Sequence, residues 1–286
     1  MDRTVTVRFY EIEQPADRSL RFEDILRRLE TLPKRDREGP LDDGAVVLRL
    51  EHLEERDGLL IGDLTRVQTH NLPGHVIDNE VRRLPVDEIG HSAVFIFDPE
   101  IGCLALQFDL RMGVGRLCRY LRLFGPGAAF RQFPYLKRDT LERFEDQTPT
   151  KLKLKVARVR NFDHVRQGRT DFEEQLEQWS RLYDAPTIEL TMSTRGEGRQ
   201  LDGPRVWNTV RRWIGFRDEM EGIKKIEAET LESDKAFDFI KDLLSAERTL
   251  DLPDNDPLES RRIRTDYIIG TYFENRDYIR RVSGAS

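Results

Sequence analysis

Cysteine is scarce in this chain: Cys103 and Cys118 are the only two in 286 residues. That excludes a disulfide-dense scaffold, and their spacing fits no metal site. A disulfide between them stays open on spacing alone, but two buried thiols in a cytosolic protein is the expectation. Histidine is nearly as sparse, with five residues. His70 and His75 share one loop five positions apart, which is not the i, i+4 spacing of a helical zinc pair. A run of about 18 apolar residues is missing, so no membrane-crossing helix is expected. MDRTVTVRFYEIEQ at the start reads directly as a strand rather than as the apolar core of a signal peptide. No nucleophile elbow, phosphate-binding Walker loop or kinase signature is present, and no cofactor is expected.

Positive charge is in deficit, with 47 Lys/Arg against 53 Asp/Glu and a net charge of −6. This argues against a histone-like coat on nucleic acid. The deficit is unevenly spread. Residues 1–110 carry 14 Lys/Arg and 23 Asp/Glu, residues 111–169 carry 15 and 5, and residues 170–286 carry 18 and 25. A belt of net +10 therefore lies between acidic ends of −9 and −7.

The remaining composition is globular. Period-two alternation marks strands at 5–12, 45–53 and 59–68, the last two joined by EERDG. Ser19 is placed to cap an amphipathic helix, LRFEDILRRLETL, that ends before Pro33. Residues 69–85 read as a loop. SAVFIFD (92–98) and LALQFDL (104–110) form a hairpin around Pro99–Gly102, followed by a helix at 113–125 closed by Gly125. A polar helix, RDTLERFED, precedes a boundary at 147–150. Then come a strand at 151–160, a helix at 171–183, a strand at 187–194, a helix at 205–216 and a strand at 223–232. That succession predicts a ferredoxin-like βαβαβ sandwich. A helix KAFDFIKDLL, a linker DLPDNDPLES and a final helix at 261–281 complete the chain. The predicted class is α+β. The predicted division is an N-terminal mixed domain at 1–148, the βαβαβ domain at 149–232 and a C-terminal helical tail at 233–286.

Chemistry-bearing clusters are few. The acidic linker 251–257 lacks the glycine and closing glutamate of an EF-hand. GVGRLCR opens a helix and could offer N–H groups to a phosphate, but two glycines alone are a weak signal and a tight strand-to-helix turn is the preferred reading. The basic belt stands out more. In KLKLKVARVR (151–160), Lys151, Lys153 and Lys155 point to one side while Leu152, Leu154 and Val156 point to the other. Arg158, Arg160, Arg166 and Arg169 follow. Arg205 and Arg212 share the polar side of a helix, and Arg195 and Arg199 flank a glycine-containing loop. Arg116, Arg119 and Arg122 stripe the earlier helix, and Arg131 sits among Phe130, Phe133 and Tyr135. Such a surface suits phosphate-backbone contact with DNA without base readout, and the bland alternative is a solvated sheet face.

HSAVFIFDPEIGCLALQFDLRMGVGRLCRYL and the succession KLKLKVARV, helix, TIELTMST, basic helix, IKKIEAETLE are similar to the RexA-like phage-exclusion proteins and their bacterial anti-phage relatives. So is the closing RRIRTDYIIGTYFENRDYIRR. The resemblance implies a cytoplasmic, homodimeric, two-domain DNA-binding sensor that triggers abortive infection, with a defence-system partner protein and without membrane insertion. It carries no assigned catalytic residues. Two other classes stay open: a metal-dependent nuclease or nucleotide-processing effector drawing on Asp98, Glu100 and Asp109, and a protein-interaction subunit whose basic belt docks on an acidic surface.

Overall fold

The computed structural model describes residues 1–14, 20–70, 72–73, 75–77, 80–82, 85–109, 111–128, 130–157, 171–194, 200–217 and 223–284. The fold is α+β. The chain divides into two compact units, one formed by Met1–Gln132 with Ser245–Ser286 and the other by Phe133–Leu244. The expected boundary at 148 thus has its counterpart at 132. The C-terminal segment is no tail: Ser245–Ser286 belongs to the first unit and supplies it with an edge strand and a long helix.

The first unit is built on an eight-stranded sheet. It contains β1 (Asp2–Glu13), β2 (Gly39–Leu41), β3 (Val46–Arg56), β4 (Leu59–Gln68), β7 (Ile89–Asp98), β8 (Cys103–Gln107) and β14 (Ser245–Asp251) in the order β14-β1-β8-β7-β4-β3-β2, with β9 (Arg131–Pro134) also paired to β1. Asp57 and Gly58 both take positive φ (53° and 77°) in the β3–β4 turn. That matches the Asp-Gly hairpin signal and its twist. Gly62 lies opposite Phe95, and a Cβ there would come within 2.1 Å of the Phe95 ring. A bare backbone is what lets this aromatic pack. Within 69–85, the structure adds a short hairpin, β5 (His75–Ile77) with β6 (Glu80–Arg82).

Helices α1 (Phe22–Thr31) and α2 (Val114–Phe124) place Phe22, Ile25, Leu26, Leu117 and Leu121 on one sheet face, against Leu64, Phe95 and Phe97. Ser19 lies outside the described residues. The cap is at Arg21, whose N–H donates to the Asp24 carboxylate (3.1 Å), while Gln14 accepts from Phe22 N–H (2.7 Å). The opposite sheet face is covered by α6 (Pro257–Val282), which contacts β7, β8, β1 and β14. Asp256 caps α6 by accepting from the N–H groups of Leu258 and Glu259, with Pro257 in the first turn.

The second unit holds a four-stranded antiparallel sheet, β11 (Thr187–Ser193), β10 (Pro149–Ala157), β12 (Ile223–Thr230) and β13 (Phe237–Asp238), in that order. Its helices are α3 (Arg138–Glu145), α4 (Asp171–Leu182) and α5 (Gly203–Arg217). The βαβαβ element order is present. β11 and β12 run parallel with β10 inserted between them, so β11–α5–β12 is a split βαβ unit. The earlier crossover, β10–α4–β11, instead joins antiparallel neighbours. The helix expected over 235–244 is absent. Phe237 and Phe239 are both buried at strand spacing, and Asp238 Oδ1 then accepts from the N–H groups of Ile240 (3.2 Å) and Lys241 (3.3 Å). An aspartate that captures the next backbone donors turns the chain instead of propagating a helix.

Candidate nucleic-acid interface

Strand β10 realises the alternation written in its sequence. Leu152, Leu154 and Val156 are fully buried, while the three lysines between them stay half-buried on the other face. The apolar side joins Val206, Val210, Trp213 and Ile214 of α5 and Leu176 of α4 in one core. Both helices therefore cover that side. The lysine side carries no helix from these elements.

Cross-strand register shows what accompanies the lysines. Lys151 lies opposite Glu229 and Ser193, Lys153 opposite Glu227 and Thr191, and Lys155 opposite Lys225 and Glu189. This face thus presents four lysines against Glu189, Glu227, Glu229 and, opposite Glu227 on β13, Asp238, a net of 0 where the strand alone suggested a bare +3. Lys151 Nζ is 3.0 Å from Glu229 Oε1, Lys153 Nζ is 3.4 Å from the same oxygen, and Lys225 Nζ is 2.7 Å from Glu227 Oε1. The hydrogen bond to Glu229 raises the Lys151 pKa and, in return, holds the Glu229 carboxyl below its ordinary value. Exposed pairs of this kind contribute only about 0–1 kcal/mol each. They order the lysine tips more than they stabilise the fold.

The other expected site residues do not gather here. Arg205 and Arg212 lie on α5, whose apolar side faces the core, so they sit on the outer side of the helical layer, across the unit from the lysines. Arg205 Nε is 3.5 Å from Asp202 Oδ2. Arg158, Arg160, Arg166, Arg169, Arg195 and Arg199 lie outside the described residues. The stripe on α2 belongs to the first unit and is engaged. Arg119 Nη1 and Arg116 Nε approach Asp42 at 2.7 and 3.3 Å, and Arg122 donates to the Phe130 carbonyl (2.7 Å). Partial burial pushes the Asp42 pKa up, but the bonds and charge of the two arginines outweigh it and hold the carboxyl low.

A second polar constellation lies between α6 and the first unit's sheet. The buried Asp98 accepts from the Tyr272 hydroxyl, and Arg276 sits 3.3 Å from the same carboxylate and 3.1 Å from Glu100, which also pairs with Arg280. Arg264, itself buried, donates to the Ser92 carbonyl (2.9 Å) and to Gln107 Oε1 (3.1 Å). Asp63 lies 3.5 Å from Arg261, and burial pushes its carboxyl up to about 6 against the opposing charges of Arg264 and Arg261. One signal for this layer was available in the sequence: Asp63 interrupts the otherwise apolar run LLIGDL in the middle of a strand.

These contacts bear on the metal-enzyme reading. Asp98 and Glu100 are occupied by α6, and Asp109 Oδ1 accepts from Arg111 N–H (2.7 Å) in a local turn. Among the described residues no group of three or more His, Cys, Asp or Glu side chains converges as metal ligands. Cys103 and Cys118 are both buried and form no disulfide with each other, and burial raises the Cys103 thiol pKa. No helix among the described residues is long and apolar enough to cross a membrane. Comparison with known protein families and with curated proteins finds no match for this chain.

Proposed function

We propose that the protein binds the phosphate backbone of nucleic acid, without base readout, through the lysine-bearing sheet face of its second unit. The observation that carries this reading is the set Lys151, Lys153, Lys155 and Lys225 held on a pleated face that α4 and α5 leave open. Alternate strand residues are about 6.6 Å apart, so the ammonium groups are presented at regular intervals by a rigid backbone. The glutamates beside them do not prevent binding. A phosphate need only replace exposed ion pairs that contribute about 0–1 kcal/mol each. They do limit affinity, while the salt dependence is set by the number of phosphates the lysines contact. The succession of elements that resembles RexA-like exclusion proteins supports placing this binding in anti-phage defence.

Gel shift or fluorescence anisotropy with unrelated duplexes over a salt series tests the reading. Affinity should be the same for all sequences, and log K should fall with log salt by about 0.9 per phosphate contacted. A salt-independent affinity, or no binding to DNA or RNA at low salt, would overturn it. The defence role is tested separately, by the plating efficiency of phage on cells with and without the gene.

A further inference from the structure

Sheet edges expose unpaired N–H and C=O groups, and proteins usually blunt them with short strands, prolines or charges. Three of the edge strands here follow that rule. β2 has three residues including Pro40, β13 has two, and β14 carries Glu247, Arg248 and Asp251. β11 does not. It is seven residues long, TIELTMS, with Glu189 its single charge, and among the described residues it pairs only with β10. Large exposed apolar side chains lie on it and in the segment that leads into it. Met192 on the strand is 45% exposed, and Trp179, Leu182 and Tyr183 at the end of α4 are 39%, 73% and 73% exposed.

We propose that β11 is a dimer seam, pairing antiparallel with β11 of a second copy of this chain in the register centred on Leu190. The backbone selects this arrangement. Thr194 N–H donates to the Thr150 carbonyl (3.0 Å). By the alternation of an antiparallel ladder, residues 188, 190 and 192 bond to β10, while 187, 189, 191 and 193 aim their N–H and C=O groups outward. Only outward residues can pair with outward residues across the seam. Centring on Leu190 sets Glu189 against Thr191 of the second copy and Thr187 against Ser193, which uses the whole strand. Centring on Glu189 would set two like charges directly opposite.

The Leu190 register also completes the inner face. Ile188 meets Met192 of the second copy and Leu190 meets its own counterpart, extending the face on which Ile188 and Leu190 already pack against the second unit's core and covering the exposed Met192. Leu182 and Tyr183, just before the strand, come to the end of the seam where Met192 of the second copy lies. Two four-stranded sheets become one, and the lysine faces of both copies lie on the same side of it. The seam does not rest on nucleic-acid binding, and its test uses no nucleic acid.

Light scattering behind size exclusion reads the mass against the 33.6 kDa chain. The parent should run at twice that mass. Thr191→Pro removes only an outward N–H, as edge positions tolerate, and should run as a monomer. Thr191→Glu places a carboxylate against Glu189 twice per dimer and should weaken association roughly tenfold. It also faces Lys153 within its own sheet, so circular dichroism should remain that of the parent. Thr191→Glu combined with Glu189→Lys restores opposite charges across the seam and should restore the dimer. A monomeric parent overturns the proposal. So does a dimer that Thr191→Glu leaves as tight as before, or a double variant that stays as weak as Thr191→Glu.

Discussion

Arg276 in the first unit and Lys151 in the second have nearly the same exposure, 29% and 30%, and each sits beside a carboxylate. The partners differ. Asp98 is 2% exposed, lies under α6 and also takes the Tyr272 proton donor, whereas Glu229 is 41% exposed at the surface of an open sheet. The first arrangement locks a helix onto a sheet, because removing either partner leaves a buried polar group unsatisfied. The second leaves both charges within reach of water and of a competing ligand. The same kind of charge pair thus serves architecture in one unit and stays exposed to solvent in the other.

The largest expected effect tests the layering that makes the lysine face possible. Leu154→Asp buries a carboxylate among Val210, Trp213 and Ile226, with no partner in that core. A loss above about 4 kcal/mol is expected, enough to unfold the second unit, read as lost ellipticity and rapid proteolysis within 133–244. Retention of the parent's melting profile would mean that the two faces of β10 are not divided as described.

Next is the anchor of α6. Asp98→Ala leaves the Tyr272 hydroxyl and the Arg276 guanidinium without their shared acceptor, and a loss of about 2–4 kcal/mol is expected in chemical denaturation. The same variant bears on the metal-enzyme reading. A metal-dependent turnover of nucleic acid or nucleotide that Asp98→Ala abolishes in still-folded protein would displace the proposed function.

Much of this division was legible in the sequence. The alternation of β10 and the Asp57–Gly58 turn are local patterns, and local patterns survive folding. What was not legible is pairing between distant segments. SAERTLD shows no clear period, yet it forms β14 because β1, some 240 positions earlier, offers it an edge from Asp2↔Asp251 to Arg8↔Ser245. Glu229 lies 78 positions from the lysine it neutralises, so the charge belt could be counted but not its cancellation. Arg205 and Arg212 read in the sequence as part of one basic surface with the lysines, and only the helix-on-sheet layering shows that they face the other way.

Asp63 gives a smaller, pH-dependent effect. Its folded pKa of about 6 lies above the ordinary 3.8, so the folded state holds the proton more tightly. The sign follows: this group's contribution is most favourable below about pH 4, declines as pH rises toward 6, and is constant above. A shift of this size corresponds to roughly 3 kcal/mol at most. Asp63→Asn should remove that decline, so the parent-minus-variant difference in stability should change between pH 4 and 6 and stay flat from 6 to 8. A difference that is flat throughout would mean that Asp63 is not held in the buried position beside Arg261 described above.

The smallest effect on stability is expected where the effect on binding is the point. Replacing Lys151, Lys153 and Lys155 together by Gln removes the ammonium groups and keeps most of the side-chain length, with Leu152, Leu154 and Val156 untouched. The exposed pairs with Glu229 are lost, but surface changes of this kind stay within about ±0.5 kcal/mol per site. Glu189, Glu227, Glu229 and Asp238 then stand with only Lys225 of these strand positions to balance them, so the face turns from net 0 to net −3. Nucleic-acid affinity should fall alike for every sequence, and the salt slope should become shallower by up to about 0.9 for each phosphate contact removed. Glu229→Gln is the converse: it frees Lys151 and Lys153 from their shared carboxylate and should tighten binding. If the triple variant binds as the parent does with an unchanged slope, the pleated face is only solvated and the contact surface lies elsewhere. If the triple variant weakens binding but Glu229→Gln does not strengthen it, the lysines act without competition from their neighbour.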